Sequence, residues 1–156
     1  MFILKLRLTR DRVIIAVCLL LTALSLTLHF LSFGGFPQRA ENSLERVDYL
    51  VALGYEVDPS SEKVKTILLP EKFDNIYDSY NQLQKAGGFD LREYRGRTAE
   101  LYTYKLLRLY DLKEASVNLI VCKNIIIGGD VATLEKGGLC MPLIKAEENI
   151  TELKEK

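Results

Sequence analysis

Few residues in this 156-residue chain could carry chemistry, and the scarcest is histidine, which occurs once, at position 29. His29 belongs to an uncharged apolar stretch, so the rest of the chain cannot assemble a Ser/His/Asp or Cys/His nucleophilic set. A histidine-containing zinc site is excluded on the same ground. Cys122 and Cys140, the two cysteines beyond that stretch, are too few for an all-cysteine site. There is no C-x-x-C pair and neither of the glycine-rich phosphate-binding patterns. The residues therefore assign no catalytic group, no cofactor and no metal ligand. Cys122 lies in an apolar run, where a reduced thiol acts as a small hydrophobe, and a Cys122–Cys140 disulfide is the less favoured alternative.

Carboxylates are the chemistry that survives. Glu71, Asp74 and Asp78 recur at helical spacing along one side of a segment. Such a ridge could attract calcium or supply an acid–base pair, although no oxygen-rich loop accompanies it and a solvated helix face explains it better. Gly128-Gly129-Asp130 is the most unusual local sequence. Glycines inside a strand mark a bulge or a close approach by other backbone, and the aspartate beside them is either surface or site. Tyr77, Tyr80, Tyr102 and Tyr104 could line a groove for sugar or peptide, while their spacing also suits core filling. These four tyrosines and Asp130 are the candidate interaction residues. Asn149-Ile150-Thr151 matches the glycosylation acceptor triplet, a match that chance also supplies.

The elements that must position these residues follow from periodicity. A first helix is expected over 43–53, capped by Asn42 or Ser43, with Leu44, Val47, Leu50, Val51 and Leu53 on its apolar face and Gly54 ending it. Residues 55–57 read as extended, 58–61 as a turn and 63–69 as a short strand. A second helix should open at Pro70 and bury Phe73, Ile76, Tyr77, Tyr80 and Leu83. Strands follow over 99–110, 116–122 and 125–133, the last two joined by a tight turn at Lys123-Asn124, where asparagine tolerates positive φ. The charged tail from Lys145 is expected to fray. The fold class is α+β, with one or two helices packed on an antiparallel sheet.

No charged residue lies between Arg12 and Arg39, and residues 13–31 are almost wholly apolar. A helix of that length spans the roughly 30 Å hydrocarbon core of a bilayer, and the hydroxyls within it can bond back to carbonyls of the preceding turn. Lys5, Arg7, Arg10 and Arg12 precede it against Asp11 alone, which orients the N-terminus to the cytoplasm and the rest outward. The expected organisation is a basic stub over 1–12, a transmembrane signal-anchor over 13–33, a linker over 34–42, an exported domain over 43–143 and a charged tail over 144–156. Ser32-Phe33-Gly34 offers the small residues of a cleavage site, so a cleaved and secreted form is the alternative. Four of the 21 basic and one of the 21 acidic residues precede or border the anchor, so beyond it 17 stand against 20, a net of −3. With no basic stripe, nucleic acid is not an expected partner.

Several ordered motifs then point to a family. Leu53-Gly54-Tyr55-Glu56-Val57, Leu69-Pro70, Phe73-Asp74-x-x-Tyr77-x-x-Tyr80-Asn81-x-Leu83-Gln84, Gly88-Phe89-Asp90-Leu91-x-x-Tyr94-x-Gly96, Tyr102-x-Tyr104, Asn118-Leu119-x-Val121 and Ile127-Gly128-Gly129-Asp130-Val131 occur in that order. Over 43–143 the chain resembles domain-of-unknown-function family 4830, a group of uncharacterised exported domains of Gram-positive anaerobic bacteria. Asn124 stands where that family usually turns through glycine. The resemblance implies export behind one membrane segment and a small α+β fold, and brings no activity. The expected function is a single-pass membrane protein displaying a non-catalytic binding or accessory module at the cell surface. Its partners would be the bilayer, through residues 13–33, and a cell-envelope protein or glycan. A carboxylate-dependent enzyme acting on envelope glycan or peptide is the alternative.

Overall fold

The computed structural model describes residues 15, 17–25, 38–109, 114–133 and 138–154. The chain divides into two units, Met1–Phe36 and Pro37–Lys156. In the first, residues 17–25 are helical, and the Thr22 hydroxyl donates to the Leu19 carbonyl at 2.9 Å, the back-bond expected of a hydroxyl in an apolar helix. Among the described residues no helix is long and apolar enough to cross a membrane. Most of the 13–33 segment, its basic flank, His29 and Ser32-Phe33-Gly34 lie outside the described residues.

The second unit is α+β. Helix α1, Ser43–Ala52, starts where the Asn42 side chain accepts from the Glu45 amide at 2.9 Å, and stops at Gly54, whose φ of +88° suits only glycine well. Strand β1, Glu56–Leu68, is longer than expected. The turn read over 58–61 is a bulge inside it: the register shifts between Asp58 and Lys63, and Asp58 accepts from the Ser60 amide and hydroxyl. Pro59 is tolerated there because β1 is an edge strand. Helix α2, Asn75–Ala86, begins five residues after Pro70, because Asp74 is the better start: its carboxylate accepts from the Tyr77 amide at 2.9 Å. A 3₁₀ turn, Leu91–Tyr94, leads into β2, Thr98–Arg108, then β3, Ala115–Cys122, and β4, Ile125–Thr133. Lys123 and Asn124 both take positive φ, 50° and 63°, in the expected two-residue hairpin.

Two elements depart from expectation. Cys140–Pro142 adds a fifth strand, β5, and the tail forms helix α3, Ala146–Lys154. The tail does not fray because Asn149 is fully buried; its amide donates to the Tyr55 hydroxyl at 2.8 Å and the Pro142 carbonyl at 3.0 Å. Part of the expected linker is also pinned: Arg39 bridges to Ile125, and Ala40 is buried and bonds to the Asn124 carbonyl.

The sheet runs β1-β2-β3-β4-β5, antiparallel throughout. The helices cover both of its faces, where one covered face was expected. Val117, Leu119 and Val121 of β3 join Tyr104, Leu106 and Val131 in a core closed by Leu50 of α1 and Ala146 of α3. Ile120 and Cys122, on the opposite side of β3, join Ala99, Ile127 and Leu91 under Tyr80 of α2. β3 is buried at seven of its eight positions, which demands cover on both sides.

The first face holds a buried charge. Arg46 of α1 is 4 % exposed. Its guanidinium donates to Glu62 at 2.9 and 3.1 Å, to the Tyr104 hydroxyl at 3.0 Å and to the Ala40 carbonyl at 3.1 Å, and lies 3.7 Å from the centroid of the Tyr102 ring. Tyr104 and Ser43 also donate to Glu62. Turning Arg46 inward rotates Leu44 and Val51, expected on the buried face, out to solvent. Burial disfavours the charged Glu62 carboxyl, but the hydrogen bonds from Tyr104, Arg46 and Ser43 outweigh it and hold the group below the ordinary carboxylate range.

A depressed folded value means that Glu62 contributes its stability above the unfolded carboxyl value of about 4.3 and loses it as pH falls through the folded one. Glu62→Gln should cost on the order of 3 kcal/mol at pH 7, since it leaves Arg46 buried without its counter-charge. It should also lose less further stability than the unmodified protein between pH 7 and pH 3. Urea denaturation at the two pH values measures both effects, and parallel losses in the two proteins would refute the assignment.

Candidate functional site

The structure divides the five candidate interaction residues, with Tyr80 and Asp130 meeting on one face of the sheet, Tyr102 and Tyr104 both against Arg46 on the other, and Tyr77 at the start of α2. Tyr102 and Tyr104 belong to the first face, where Tyr102 lies under Arg46 and donates to Glu100, and Tyr104 is fully buried against Glu62. Tyr77 lies at the start of α2 with its ring 5.4 Å from that of Phe73. Tyr80 reaches from α2 onto the second face, and its hydroxyl donates to Asp130 at 2.6 Å. A groove lined by all four tyrosines is therefore absent, because the sheet stands between the pairs.

Asp130 is 5 % exposed and anchors a polar row across three strands. The Asn118 amide donates to its second oxygen at 2.8 Å, and the Thr103 hydroxyl donates to the Asn118 side-chain carbonyl at 2.7 Å. The three residues are register partners, Thr103 opposite Asn118 and Asn118 opposite Asp130. Burial first, then the Asp130 charge, push the Tyr80 phenol far above its ordinary range, so it stays a hydrogen-bond donor.

The adjoining glycines explain why Asp130 can sit so deep. The Gly129 amide donates to the side-chain oxygen of Gln84, a fully buried α2 residue, at 2.8 Å. A Cβ on Gly128 would stand 2.7 Å from that same oxygen. One on Gly129 would stand 2.6 Å from the Asn118 carbonyl and 2.5 Å from Leu143. Of the two readings of this motif, a close approach holds on both sides of the strand and a register shift between Ile120 and Val121 adds a bulge beside it, while Asp130 is not a surface aspartate.

Three of the four remaining candidate carboxylates are engaged in local contacts. Asp74 caps α2, Asp78 pairs with the Arg92 guanidinium at 2.8 Å, and Asp90 accepts from Asn81 at 2.9 Å, the Arg92 amide at 3.0 Å and Lys85 at 3.2 Å. Burial opposes the Asp90 charge, yet the donors from Asn81, Arg92 and Lys85 leave its carboxyl below the ordinary range. Glu71 lies against Gly96. Among the described residues no three His, Cys, Asp or Glu side chains are grouped to hold a metal ion. Cys122 is buried and Cys140 exposed, and both are free thiols. Full burial of Asn149 closes the acceptor triplet to glycosylation of the folded domain.

A cavity of about 320 Å³ opens beside this polar row, lined by Ser61, Lys63, Thr103, Lys105, Glu114, Ala115 and Ser116. Sequence reasoning did not assign it, although the strands carry a signal. On the second face β1 reads Ile67, Lys65, Lys63; β2 reads Ala99, Leu101, Thr103, Lys105; and β3 reads Cys122, Ile120, Asn118, Ser116. With Leu101 opposite Ile120 and Lys105 opposite Ser116, all three strands turn from apolar to polar along the same direction. The apolar half is covered by α2 and the 3₁₀ turn, and the polar half forms the cavity. Single strands show only alternation, and the common transition emerges once their register is known.

Gly129→Ala should destabilise the domain by more than the roughly 1–3 kcal/mol lost on leaving one buried hydrogen bond unmade, because the contacting Asn118 carbonyl is backbone. Tyr80→Phe, which only strips a donor from Asp130, should fall within that range. Chemical denaturation of the two variants gives the order, and a neutral Gly129→Ala would contradict the close approach.

A family model described as Domain of unknown function (DUF4830) matches residues 49–131, which include Tyr80, Gln84, Asn118, Gly128, Gly129 and Asp130. No curated protein and no solved structure matches the chain.

Proposed function

The chain belongs to the DUF4830 family, and we propose that it is a non-catalytic binding or accessory module displayed on the outer side of a membrane by residues 13–33. The observation that carries the non-catalytic reading is the commitment of four of the five candidate carboxylates. Asp74, Asp78, Asp90 and Asp130 spend their oxygens on helix starts, an ion pair and the buried row. The one cavity described above holds two lysines, three hydroxyls and a single carboxylate, Glu114. A carboxylate acid–base pair needs two carboxyl groups converging on one reacting bond, and this lining supplies one. The uncharged stretch between Arg12 and Arg39 with its basic N-terminal flank supports membrane display. So does the apolar exposure of Leu19, Leu20 and Leu21, three successive side chains that water would not favour.

Two measurements test this reading. Cys140 is exposed and Cys122 buried, so a membrane-impermeant maleimide applied to intact cells should label the full-length protein, and Cys140→Ser should abolish the signal. Labelling only after permeabilisation would overturn the outward orientation. Photocrosslinking of the same cells should capture a cell-envelope protein or glycan on the outer unit. Turnover of envelope glycan or peptide by the purified protein, lost in Asp130→Asn, would replace the binding module with the carboxylate enzyme.

A further inference from the structure

The polar end of the second face places two ammonium groups where strand geometry makes them neighbours. Lys63 is the register partner of Thr103, and Lys105, two residues further along the same face, is the register partner of Asp58 across the bulge, so the two lysines are diagonal neighbours. Diagonal cross-strand positions lie within reach of long side chains, and among the described residues neither lysine forms an ion pair. Asp58 stands opposite Lys105 but is turned into its own bulge: the Ser60 hydroxyl and amide are the main cause of its lowered carboxyl value, and Lys105 adds to it without an ion pair. Glu114 is the single acid on the cavity wall, so the lining carries two positive charges against one negative.

The hydroxyls complete a specific inventory. Ser61 donates to the Asp58 carbonyl at 2.6 Å and accepts from the Lys105 amide at 2.8 Å. Thr103 donates to Asn118 at 2.7 Å. With those protons spent, Ser61 and Thr103 face the cavity as acceptors, while Lys63 and Lys105 supply donors. Thr103 is further fixed through Asn118 and Asp130 to Tyr80 of α2, so this wall is ordered before any ligand arrives, which lowers the entropic cost of binding. The volume of about 320 Å³ lies at the small end of ligand sites.

On the reading of this protein as a binding module, we propose that the Lys63–Lys105 cavity is its ligand site and takes a compact hydroxylated anion, a phosphate or carboxylate carried next to a hydroxyl. The lysines hold the anionic group, the Ser61 and Thr103 oxygens accept from the ligand hydroxyl, and Glu114 limits how much negative charge the site tolerates. Nothing in this assignment requires catalysis.

Titration calorimetry on the full-length protein in detergent, at low ionic strength, tests it with sn-glycerol 3-phosphate, L-malate and uncharged glycerol. At least one of the two anions should saturate a single site while glycerol does not, and the tighter of the two identifies phosphate or carboxylate as the natural group. The double variant Lys63→Met, Lys105→Met should weaken binding about tenfold or more, as expected for loss of charge-assisted bonds, and Glu114→Gln should tighten it. Both lysines are exposed, so these variants should keep the unfolding midpoint of the parent. Absence of saturable anion binding, equal binding of glycerol, or unchanged affinity in the double variant would each overturn the site. Photocrosslinking separates the two levels of the argument. An envelope partner captured equally by parent and double variant removes this site and leaves the module reading intact. A parent that captures nothing from the envelope removes the module reading, whatever the calorimetry shows.

Discussion

A sheet that is buried on both faces can be only as thick as its covers allow, and here that limit falls on Gly128 and Gly129. On one side Gln84 of α2 comes close enough for its oxygen to accept the Gly129 amide; on the other Leu143 occupies the space a side chain would need. The two glycines are therefore the point through which both layers are brought to the same strand. Their position also fixes Asp130, the next residue, at a depth where its oxygens must be satisfied by protein groups. Tyr80 from the helix and Asn118 from the neighbouring strand do so. Packing and hydrogen bonding are thus one constraint: α2 can approach only because the strand lacks side chains, and the polar row is complete only because α2 has approached.

The opposite layer is organised by a charge. Replacing a buried ion pair by apolar groups of the same shape is often neutral or stabilising, so Arg46 and Glu62 are better understood as specifying an arrangement than as strengthening one. What they specify is the rotation of α1. With the guanidinium over Tyr102 and against Tyr104, the helix can present Leu50 to the core only by leaving Leu44 and Val51 in water. The Ala40 carbonyl joins the same cluster. The segment entering α1 is consequently held at two places, by Arg46 from above and by its bridge to the start of β4.

How much of this was legible in the sequence depended on how local the physics was. The β3–β4 hairpin was readable because Asn124 accepts the positive φ that a two-residue turn imposes, and the alternation of Val117, Leu119 and Val121 marks one buried face. Pro70 suits a first turn in general and so marks the start of α2 too early, whereas Asp74 is the residue that satisfies an amide. The burial of Arg46 was invisible: hydrophobic periodicity scores arginine as solvent-facing, and its partners Glu62 and Tyr104 are 16 and 58 residues away. Asn149 escaped for the same reason, since a polar residue in a charged tail shows its role only when Tyr55 and Pro142 are beside it. The candidate tyrosines divided along this line too. Tyr80 and Asp130 meet, and Tyr102 and Tyr104 serve the other layer.

The cavity follows from the same architecture. α2 and the 3₁₀ turn cover the second face as far as Asp130, where the contact with Tyr80 marks the last position at which helix and sheet exchange a hydrogen bond. Beyond it no described helix covers the strands, and their second-face residues change together to Lys63, Thr103, Lys105 and Ser116. An uncovered sheet face would be stable with any polar residues, so exposure alone does not call for two lysines beside hydroxyls whose protons are already bound. The buried row supplies the connection. It runs from Tyr80 through Asp130 and Asn118 to Thr103, and its last member is a wall of the cavity. The interaction that seats the helix therefore also orients a wall of that cavity.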